Sequence, residues 1–415
     1  MWVNLKGKGD IMKKIILGIH LLVGIFILNG CNTKSSIESI NLKKSNNTID
    51  VIQKEIENMT LDEKIGQMIT VGIEGYTLND KTKLLIQEKK VGGVILFKDN
   101  IKDSNQLLQL INNIKDINSK NKIPLFISVD EEGGRVSRLP KEIKKLPSSE
   151  VIGNKNDKDL AYDIGKNIGY ALKSFGFNMD FAPVLDINSN PNNTVIGDRS
   201  FSSNKDIVAN LGVSEINGFK SSNIISVAKH FPGHGDTDTD SHYGLPIINK
   251  TLEQLKEVEF VPFKKAIEED VSSIMVSHIL LPEIDDINPA SMSKTIITDI
   301  LRKDLKFDGL IVTDDMTMGA ITNNFDISEA CIKSINAGAD LILICHGYET
   351  EIDVINNIKD AVNNGIISMD RINESVYRIL SLKHNYKISN EKIEQIDINI
   401  INSKFEDILN RIYKD

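Results

Sequence analysis

The sequence predicts an α/β protein built as a (β/α)8 TIM-type barrel in a single domain. From about residue 50, short apolar or β-branched runs alternate with longer amphipathic stretches. Eight such β-then-α units follow one another, which is what a closed parallel barrel requires. With 415 residues, the chain is long enough for one barrel of about 250–350 residues with short appendages.

The predicted elements cover most of the chain. The eight strands are Ile65–Ile73, Val91–Phe97, Leu125–Val129, Phe177–Pro183, Ile224–Lys229, Ser273–Ser277, Gly309–Thr313 and Leu341–Cys345. The predicted helices include Asp103–Ile117, Lys158–Phe175, Ile207–Phe219, Leu252–Glu268, Ser328–Ala337 and Asp370–His384. An open, doubly wound sheet is the structural alternative, because it uses the same alternation of elements.

The N-terminal segment has the parts of an export signal. Met12 precedes two lysines and the apolar run Ile15–Ile27, which is too short to span a bilayer comfortably. Leu28–Cys31 (LNGC) resembles the bacterial lipobox, in which cleavage leaves an acylated cysteine at the new N-terminus. An uncleaved anchor, or a plain signal with a chance cysteine, is the alternative. Residues 1–11 fit no part of such a signal, so we expect translation to start at Met12.

The chain divides into four predicted parts. Residues 1–31 form the signal peptide with Cys31 as the lipidation site, and residues 32–49 form a flexible Ser-, Asn- and Lys-rich tether. The barrel occupies residues 50–386, and residues 387–415 form a polar tail with one weak helical patch. We therefore expect a protein anchored by lipid at the extracellular face of a bacterial cell membrane.

Composition narrows the range of partners. A net charge of −9 argues against a nucleic-acid surface, whereas a neutral ligand is indifferent to it. Besides Cys31, the chain has Cys331 and Cys345 in apolar segments, where buried thiols are favoured over a disulfide. No cofactor is implied, and we expect a monomer.

Three predicted strands end in clusters of charged residues. The third runs into residues 130–138 (DEEGGRVSR), the fifth into 229–242 (KHFPGHGDTDTDSH), and the seventh into Asp314 and Asp315. In a barrel these ends meet at the C-terminal mouth, where active sites are built. A single charged strand end would be explained by the strand leaving the core for water. Three such ends indicate a catalytic mouth.

These segments resemble glycoside hydrolase family 3, in its single-domain β-N-acetylglucosaminidase branch. The most specific match is Lys229–Gly235 (KHFPGHG), four further residues, and then Asp240–His242 (DSH). Residues 130–138, Ile196–Phe201 (IGDRSF) and Val312–Asp315 (VTDD) match the other blocks of the branch in order. The resemblance covers roughly residues 50–385 and implies the same barrel fold.

The resemblance implies a retaining, two-step hydrolysis through a glycosyl-enzyme intermediate. Asp314 matches the nucleophile at the tip of the seventh strand, where a carboxylate can be held firmly near the anomeric carbon. Asp315 is its rival, although side chains of adjacent residues point in different directions. The family match selects Asp314.

The resemblance also implies a histidine acid/base in place of the usual second carboxylate. His242 matches it, with Asp240 as its carboxylate partner. An imidazole titrates near neutrality, and a carboxylate neighbour fixes its tautomer and stabilises its charged form. The matching further implies a sugar subsite lined by Asp130, Arg138, Arg199, Lys229 and His230, whose charged groups make strong hydrogen bonds. Arg135 and Glu132 lie in the same 130–138 segment. For these two residues the alternative to a contact with the sugar is that they brace the loop.

Several other functions stay open at this point. A metal-dependent hydrolase would use the histidines and aspartates of the 229–242 segment with Asp314, although no helical His-x-x-x-His face is present and the resemblance requires no metal. A non-catalytic surface lipoprotein is a second alternative, and it would bind a sugar in the cavity without cleaving it. Within the enzyme class, a β-glucosidase-like hydrolase or an N-acetylglucosaminide phosphorylase is the alternative. The expected substrates are glycans with terminal N-acetylglucosamine, including peptidoglycan fragments.

Overall fold

A computed structural model describes residues 51–237, 240–241 and 244–414 and confirms the barrel prediction. The strands are β1 (Ile69–Gly72), β2 (Gly93–Leu96), β3 (Phe126–Val129), β4 (Met179–Asp180), β5 (Ile225–Phe231), β6 (Ser273–Val276), β7 (Leu310–Asp315) and β8 (Leu341–Ile344). Each strand pairs in parallel with the next, and β8 closes the ring by pairing Leu343 with Thr70 of β1. The open-sheet alternative is therefore wrong.

Helices follow or precede most strands. They are Leu61–Gln67, Asp80–Gln87, Ser104–Asn118, Ser149–Lys155, Lys158–Phe175, Lys205–Ser221, Leu252–Glu257, Phe260–Glu268, Gly319–Thr322, Ile327–Ala337, Tyr348–Asn363, Met369–Asn385 and Ile398–Tyr413, with a π-helix at Thr295–Asp304. Residues 51–57 are also helical, and the chain from Met59 onwards forms one compact unit. None of the helices in the described part is long and apolar enough to cross a bilayer.

The first predicted strand, Ile65–Ile73, is wrong in its first half. Leu61–Gln67 is a helix, and only Ile69–Gly72 is a strand. The helix begins at Thr60, whose hydroxyl accepts the Glu63 N–H while the Glu63 carboxylate accepts the Thr60 N–H. This reciprocal capping satisfies two backbone donors and starts the helix, which the apolar run alone concealed.

The predicted helix Leu252–Glu268 is two helices, Leu252–Glu257 and Phe260–Glu268. Val258 leaves the helical conformation with φ −127° and ψ −77°. Directly after this break the buried Glu259 carboxylate accepts a hydrogen bond from Lys250 at 2.7 Å. The tail also departs from expectation, because its helix Ile398–Tyr413 buries one continuous face formed by Ile401, Phe405, Ile408 and Ile412.

Two long helices on the outside of the barrel approach each other closely through glycines. A Cβ atom on Gly218 of helix Lys205–Ser221 would lie 2.2 Å from the Tyr162 carbonyl oxygen of helix Lys158–Phe175. A Cβ atom on Gly165 would lie 2.2 Å from the Glu215 carbonyl oxygen in the opposite direction. The helix Lys158–Phe175 ends at Gly176, whose φ of 100° is the left-handed conformation that glycine adopts without strain.

Cys331 and Cys345 are buried free thiols, as predicted. Burial raises the pKa of both thiols, and the nearby Asp315 carboxylate adds to the rise. Cys31, the predicted lipidation site, lies outside the described residues.

Candidate active site

A cavity of about 350 Å³ opens at the carboxyl ends of the strands. The structure brings six of the predicted site residues to its wall: Asp130, Arg138, Arg199, Lys229, His230 and Asp314. Asp240 is half-buried and is not part of that wall, although its neighbour Ser241 is. His242 lies outside the described residues, so its role and that of Asp240 stay predictions.

A cluster of buried charges forms one side of the cavity. Lys229, at the end of β5, donates to Asp130 at 2.6 Å and lies 2.7 Å from a Glu132 carboxylate oxygen. Arg199 donates twice to Glu132, from Nε and Nη2, each at 2.8 Å. Glu132 therefore bridges two cations in a bidentate geometry and is itself 3% exposed in its side chain.

Glu132 does more than brace the loop, because its charge holds both cations in the cavity wall. Burial alone would raise the pKa of Glu132, but the Arg199 and Lys229 cations outweigh burial and hold that pKa well below its usual range. Burial would likewise lower the pKa of Lys229, whereas Asp130 and Glu132 raise it. Glu132, Arg199 and Lys229 therefore all stay charged at neutral pH, and the wall presents fixed hydrogen-bond donors and acceptors.

Arg138 reaches the cavity from the loop after β3. The Glu131 carboxylate accepts the backbone N–H groups of Arg138 at 2.6 Å and Leu139 at 2.9 Å, which fixes the loop from below. Arg138 Nε is buried and has no hydrogen-bond partner among the described residues. A buried donor of this kind favours a ligand that supplies an acceptor.

The two aspartates at the end of β7 have different surroundings. The Asp315 carboxylate accepts the backbone N–H groups of Thr317 at 2.9 Å and Cys345 at 3.0 Å, and the Thr317 hydroxyl at 2.6 Å. Asp314 Oδ1 accepts the Asp315 N–H at 2.9 Å. Asp315 is thus committed to holding the β7 and β8 ends together, which leaves Asp314 better placed to face a ligand.

The pKa of Asp314 lies below its ordinary value. Burial would raise it, but the His278 and His230 imidazoles, the Asp315 N–H and the Lys229 cation outweigh burial. Asp314 is therefore ionised at neutral pH, as a nucleophile must be.

His278 and Asp186 are two residues of the site that the sequence reasoning missed. His278 lies two residues after β6, donates from Nε2 to the Asp315 carbonyl at 2.9 Å, and contacts Ser291 through Nδ1 at 2.7 Å. Burial lowers the pKa of His278, and the neighbouring Asp314 and Asp315 carboxylates oppose that shift. A histidine directly after a predicted strand was an available signal. Asp186 follows β4 after a short irregular segment and gave no comparable signal.

The loop after β5 is tied to the barrel through His234. Its Nδ1 contacts the Thr237 hydroxyl at 2.8 Å, and the Asn193 side chain donates to its carbonyl at 2.8 Å. A Cβ atom on Gly235 would lie 1.7 Å from the Ile187 carbonyl oxygen, so only glycine fits there without movement. The start of this loop is therefore fixed closely against the segment after β4. The described residues contain no group of three or more His, Cys, Asp or Glu side chains arranged to hold a metal ion.

The family comparison agrees with this architecture of a parallel barrel with a charged, concave mouth. The model of the glycosyl hydrolase family 3 N terminal domain matches residues 60–382. That match covers well over half of the chain and contains every barrel strand. The chain belongs to glycosyl hydrolase family 3 and is a glycoside hydrolase.

Individual relatives carry more specific names. Beta-hexosaminidase A of Pseudoalteromonas piscicida is 35% identical over 331 residues, covering 74% of this chain and 55% of that protein. The chain thus spans about half the length of that relative. Beta-hexosaminidase of Nitrosomonas eutropha is 32% identical, covering 76% of this chain and 91% of the relative. A solved family 3 beta-N-acetylglucosaminidase from Paenibacillus sp. str. FPU-7 superposes with a TM-score of 0.80 at 37% identity, covering 84% of this chain and 68% of that one.

Proposed function

We propose that this protein is an exo-acting, retaining β-N-acetylglucosaminidase that releases terminal N-acetylglucosamine from peptidoglycan fragments or related glycans. The names of its relatives support the sugar specificity. The composition of the cavity supports a sugar ligand, since fixed charged donors and acceptors line it and a pyranose offers hydroxyl and acetamido groups to them.

In the first step, the Asp314 carboxylate attacks the anomeric carbon and the glycosidic C–O bond breaks. His242, protonated and paired with Asp240, gives its proton to the departing oxygen. In the second step, neutral His242 takes a proton from water as that water attacks the anomeric carbon and displaces Asp314. Two inversions give net retention. Lys229, Asp130, Arg199 and Arg138 hold the sugar during both steps.

The observation that carries this proposal is the contrast at the end of β7. Both aspartates line the cavity, but three hydrogen bonds hold the Asp315 carboxylate in place, whereas the ionised Asp314 carboxylate accepts only the Asp315 N–H among the described residues. A carboxylate that must form a covalent bond needs to be charged and accessible, and Asp314 meets both conditions.

Covalent trapping tests the nucleophile directly. A fluorinated N-acetylglucosaminyl fluoride, whose glycosyl-enzyme intermediate hydrolyses slowly, should label the protein, and peptide mass spectrometry should find the sugar on Asp314. Asp315→Asn should still be labelled, whereas Asp314→Asn should not. A label on Asp315, or a product of inverted configuration in NMR, would contradict the proposal.

A leaving-group comparison tests His242. His242→Ala should lose little activity on an aryl glycoside whose phenolate departs without a proton, and much more on a natural disaccharide. Equal losses on the two substrates would argue against His242 as the acid. Formation of sugar 1-phosphate by the wild type in phosphate buffer would identify a phosphorylase instead.

We also propose that the protein is a monomer held by lipid on Cys31 at the extracellular face of the membrane. The basic, apolar and LNGC segments of residues 12–31 support this location. Membrane fractionation should move Cys31→Ala from the pelleted to the soluble fraction. An unchanged distribution would contradict lipid anchoring, and a dimer mass in light scattering would contradict the monomer.

A further inference from the structure

Asp186 is a fully buried carboxylate in the segment after β4, with 0% exposure. It makes three hydrogen bonds to residues of the β5 end. Its Oδ1 accepts the backbone N–H of His230 at 3.2 Å and that of His234 at 2.7 Å, while its Oδ2 lies 2.6 Å from His230 Nδ1. One side chain thus contacts both a residue of the sugar cavity and the loop that leads to Asp240.

The hydrogen on His230 can be assigned from its two partners. Burial would raise the pKa of Asp186, but its contacts with His230 and His234 together outweigh burial and the pKa lies below its usual value. An ionised carboxylate only accepts, so the hydrogen in the 2.6 Å contact belongs to His230 Nδ1. On the other side of the ring, His230 Nε2 lies 3.4 Å from Arg199 Nη2, and a guanidinium only donates. Nε2 therefore carries a lone pair.

This arrangement suits a hydroxyl ligand. His230 and Arg199 both line the cavity, so an acceptor nitrogen and a charged donor stand side by side at its wall. A sugar hydroxyl that takes the place of the long 3.4 Å contact accepts from Arg199 and donates to Nε2, so it satisfies both groups at once. With the hydrogen on Nε2 instead, two donors would face each other and the hydroxyl would lose its acceptor.

The backbone contacts of Asp186 serve a second purpose. The N–H groups of His230 and His234 lie on either side of Phe231-Pro232-Gly233, so one oxygen fixes the turn by which the chain leaves β5. The same segment continues through Gly235, against the Ile187 carbonyl, toward the predicted acid/base pair.

We propose that Asp186 is a positioning residue that holds His230 as the Nδ1–H tautomer, with Nε2 as acceptor for a sugar hydroxyl, and anchors the loop carrying the acid/base pair. The inference rests on the proposed function for its kinetic consequences. The tautomer itself does not depend on which glycan is cleaved.

Asp186→Asn separates the two roles. The Asn side-chain oxygen can still accept both backbone N–H groups, but its NH2 group donates to His230 Nδ1 and moves the ring hydrogen to Nε2. We expect kcat/KM on an aryl β-N-acetylglucosaminide to fall about 10- to 100-fold, the range seen for carboxylates that orient metal-binding histidines, and the loss to appear mainly in KM. Asp206→Asn, which removes an equally charged but exposed carboxylate on helix Lys205–Ser221, should match the wild type.

Asp186→Ala removes the backbone anchor as well. Its additional loss should appear in kcat and should be larger on a disaccharide than on an aryl glycoside, because a displaced loop impairs proton donation to a poor leaving group. If Asp186→Ala is no worse than Asp186→Asn, the anchoring half of the inference is wrong.

Nitrogen NMR of histidine-labelled protein reads the tautomer independently of activity. The His230 signals, assigned by their loss in His230→Gln, should show hydrogen on Nδ1 in the wild type and on Nε2 in Asp186→Asn. Hydrogen on Nε2 in the wild type would overturn the inference even if Asp186→Asn did not fold. Unchanged kinetics in a folded Asp186→Asn would also overturn it. A wild type inactive on N-acetylglucosaminides would instead refute the proposed function and leave the tautomer result standing.

Discussion

The two ends of the barrel both bury charges but arrange them differently. At the base, directly before β8, the fully buried Asp340 receives Arg302, Arg371 at 2.8 Å and Arg378 at 3.2 Å, together with the Ser375 hydroxyl at 3.0 Å. At the mouth, the cluster of Asp130, Glu132, Arg199 and Lys229 borders an open cavity.

The two clusters differ in whether the protein itself occupies their hydrogen-bond donors. Arg302 also donates to the carbonyls of Phe307 and Gly309, and Arg371 donates to those of Ile335 and Ala339. The donors of the base cluster therefore join segments of the chain to one another. At the mouth, Arg138 Nε keeps a donor without a partner among the described residues. Charges at the base therefore stabilise the fold, whereas charges at the mouth are available to a ligand. Substitutions at Asp314 and Asp340 test this division directly.

Asp314→Asn should produce the largest effect, confined to activity. Removing the nucleophile should lower kcat about 10⁴-fold or more. Thermal unfolding should occur close to the wild-type temperature, because an Asn side-chain oxygen can still accept the Asp315 N–H. Asp315→Asn is the matched control, and it should keep more activity but unfold earlier, since the β7 and β8 ends lose hydrogen bonds. The reverse order of activities would mean that Asp315 is the nucleophile.

Asp340→Asn should produce the opposite result at the base. Three guanidinium groups would lose their shared carboxylate, and breaking a buried ion pair in this way costs about 3–5 kcal/mol of unfolding free energy. Activity at low temperature should persist, because Asp340 lies at the start of β8, away from the cavity. Asp299→Asn, which removes an exposed partner of Lys303, should leave denaturant unfolding unchanged. A stable but inactive Asp340→Asn would contradict the division.

Glu215→Gln addresses a buried acid on the outside helix Lys205–Ser221, 4% exposed. Burial raises the pKa of Glu215 to about 8, and the Glu132 charge adds to the rise. Between pH 4.5 and 8 the folded protein retains a proton that the unfolded chain has released, so stability falls as the pH rises. At pH 7 this linkage costs about 3 kcal/mol.

The glutamine variant should therefore be more stable than the wild type at pH 7–8 and equal to it near pH 4.5. Urea unfolding at several pH values measures this difference. An advantage independent of pH would show that the gain comes from packing and not from the proton.

Arg135→Ala should produce the smallest effect. Arg135 pairs with Asp198 at 2.8 Å and donates to the carbonyls of residues 194–196, but both partners of the ion pair are nearly half exposed. Because such a surface pair contributes roughly 1 kcal/mol or less to holding the loop in place, its loss can raise KM by about fivefold at most. A much larger increase would place Arg135 in direct contact with substrate.

The same contrast explains what could be predicted from sequence. The barrel followed from its apolar runs, because parallel strands are buried on both faces and read as continuous hydrophobic segments. The mouth followed from charged residues at strand ends, and six predicted residues do line one cavity. Both signals are local in the chain.

The residues that were missed depend on distant contacts. Asp186 contacts His230 on β5 and His234 in the loop after β5, and the base cluster draws its arginines from separate segments around Asp340. No local pattern identifies such partners. The break at Val258 was missed for a related reason, because the amphipathic pattern continues across it and a buried Glu259 directly follows it.

The two buried thiols have a practical consequence for labelling the protein. Cys331 and Cys345 are enclosed and their pKa values are raised, so both resist alkylating reagents at neutral pH. A cysteine introduced on the exposed surface of the catalytic domain would then be the preferred site for a fluorophore. With such a reporter near the mouth, ligand binding can be followed on single molecules while the native thiols stay in place.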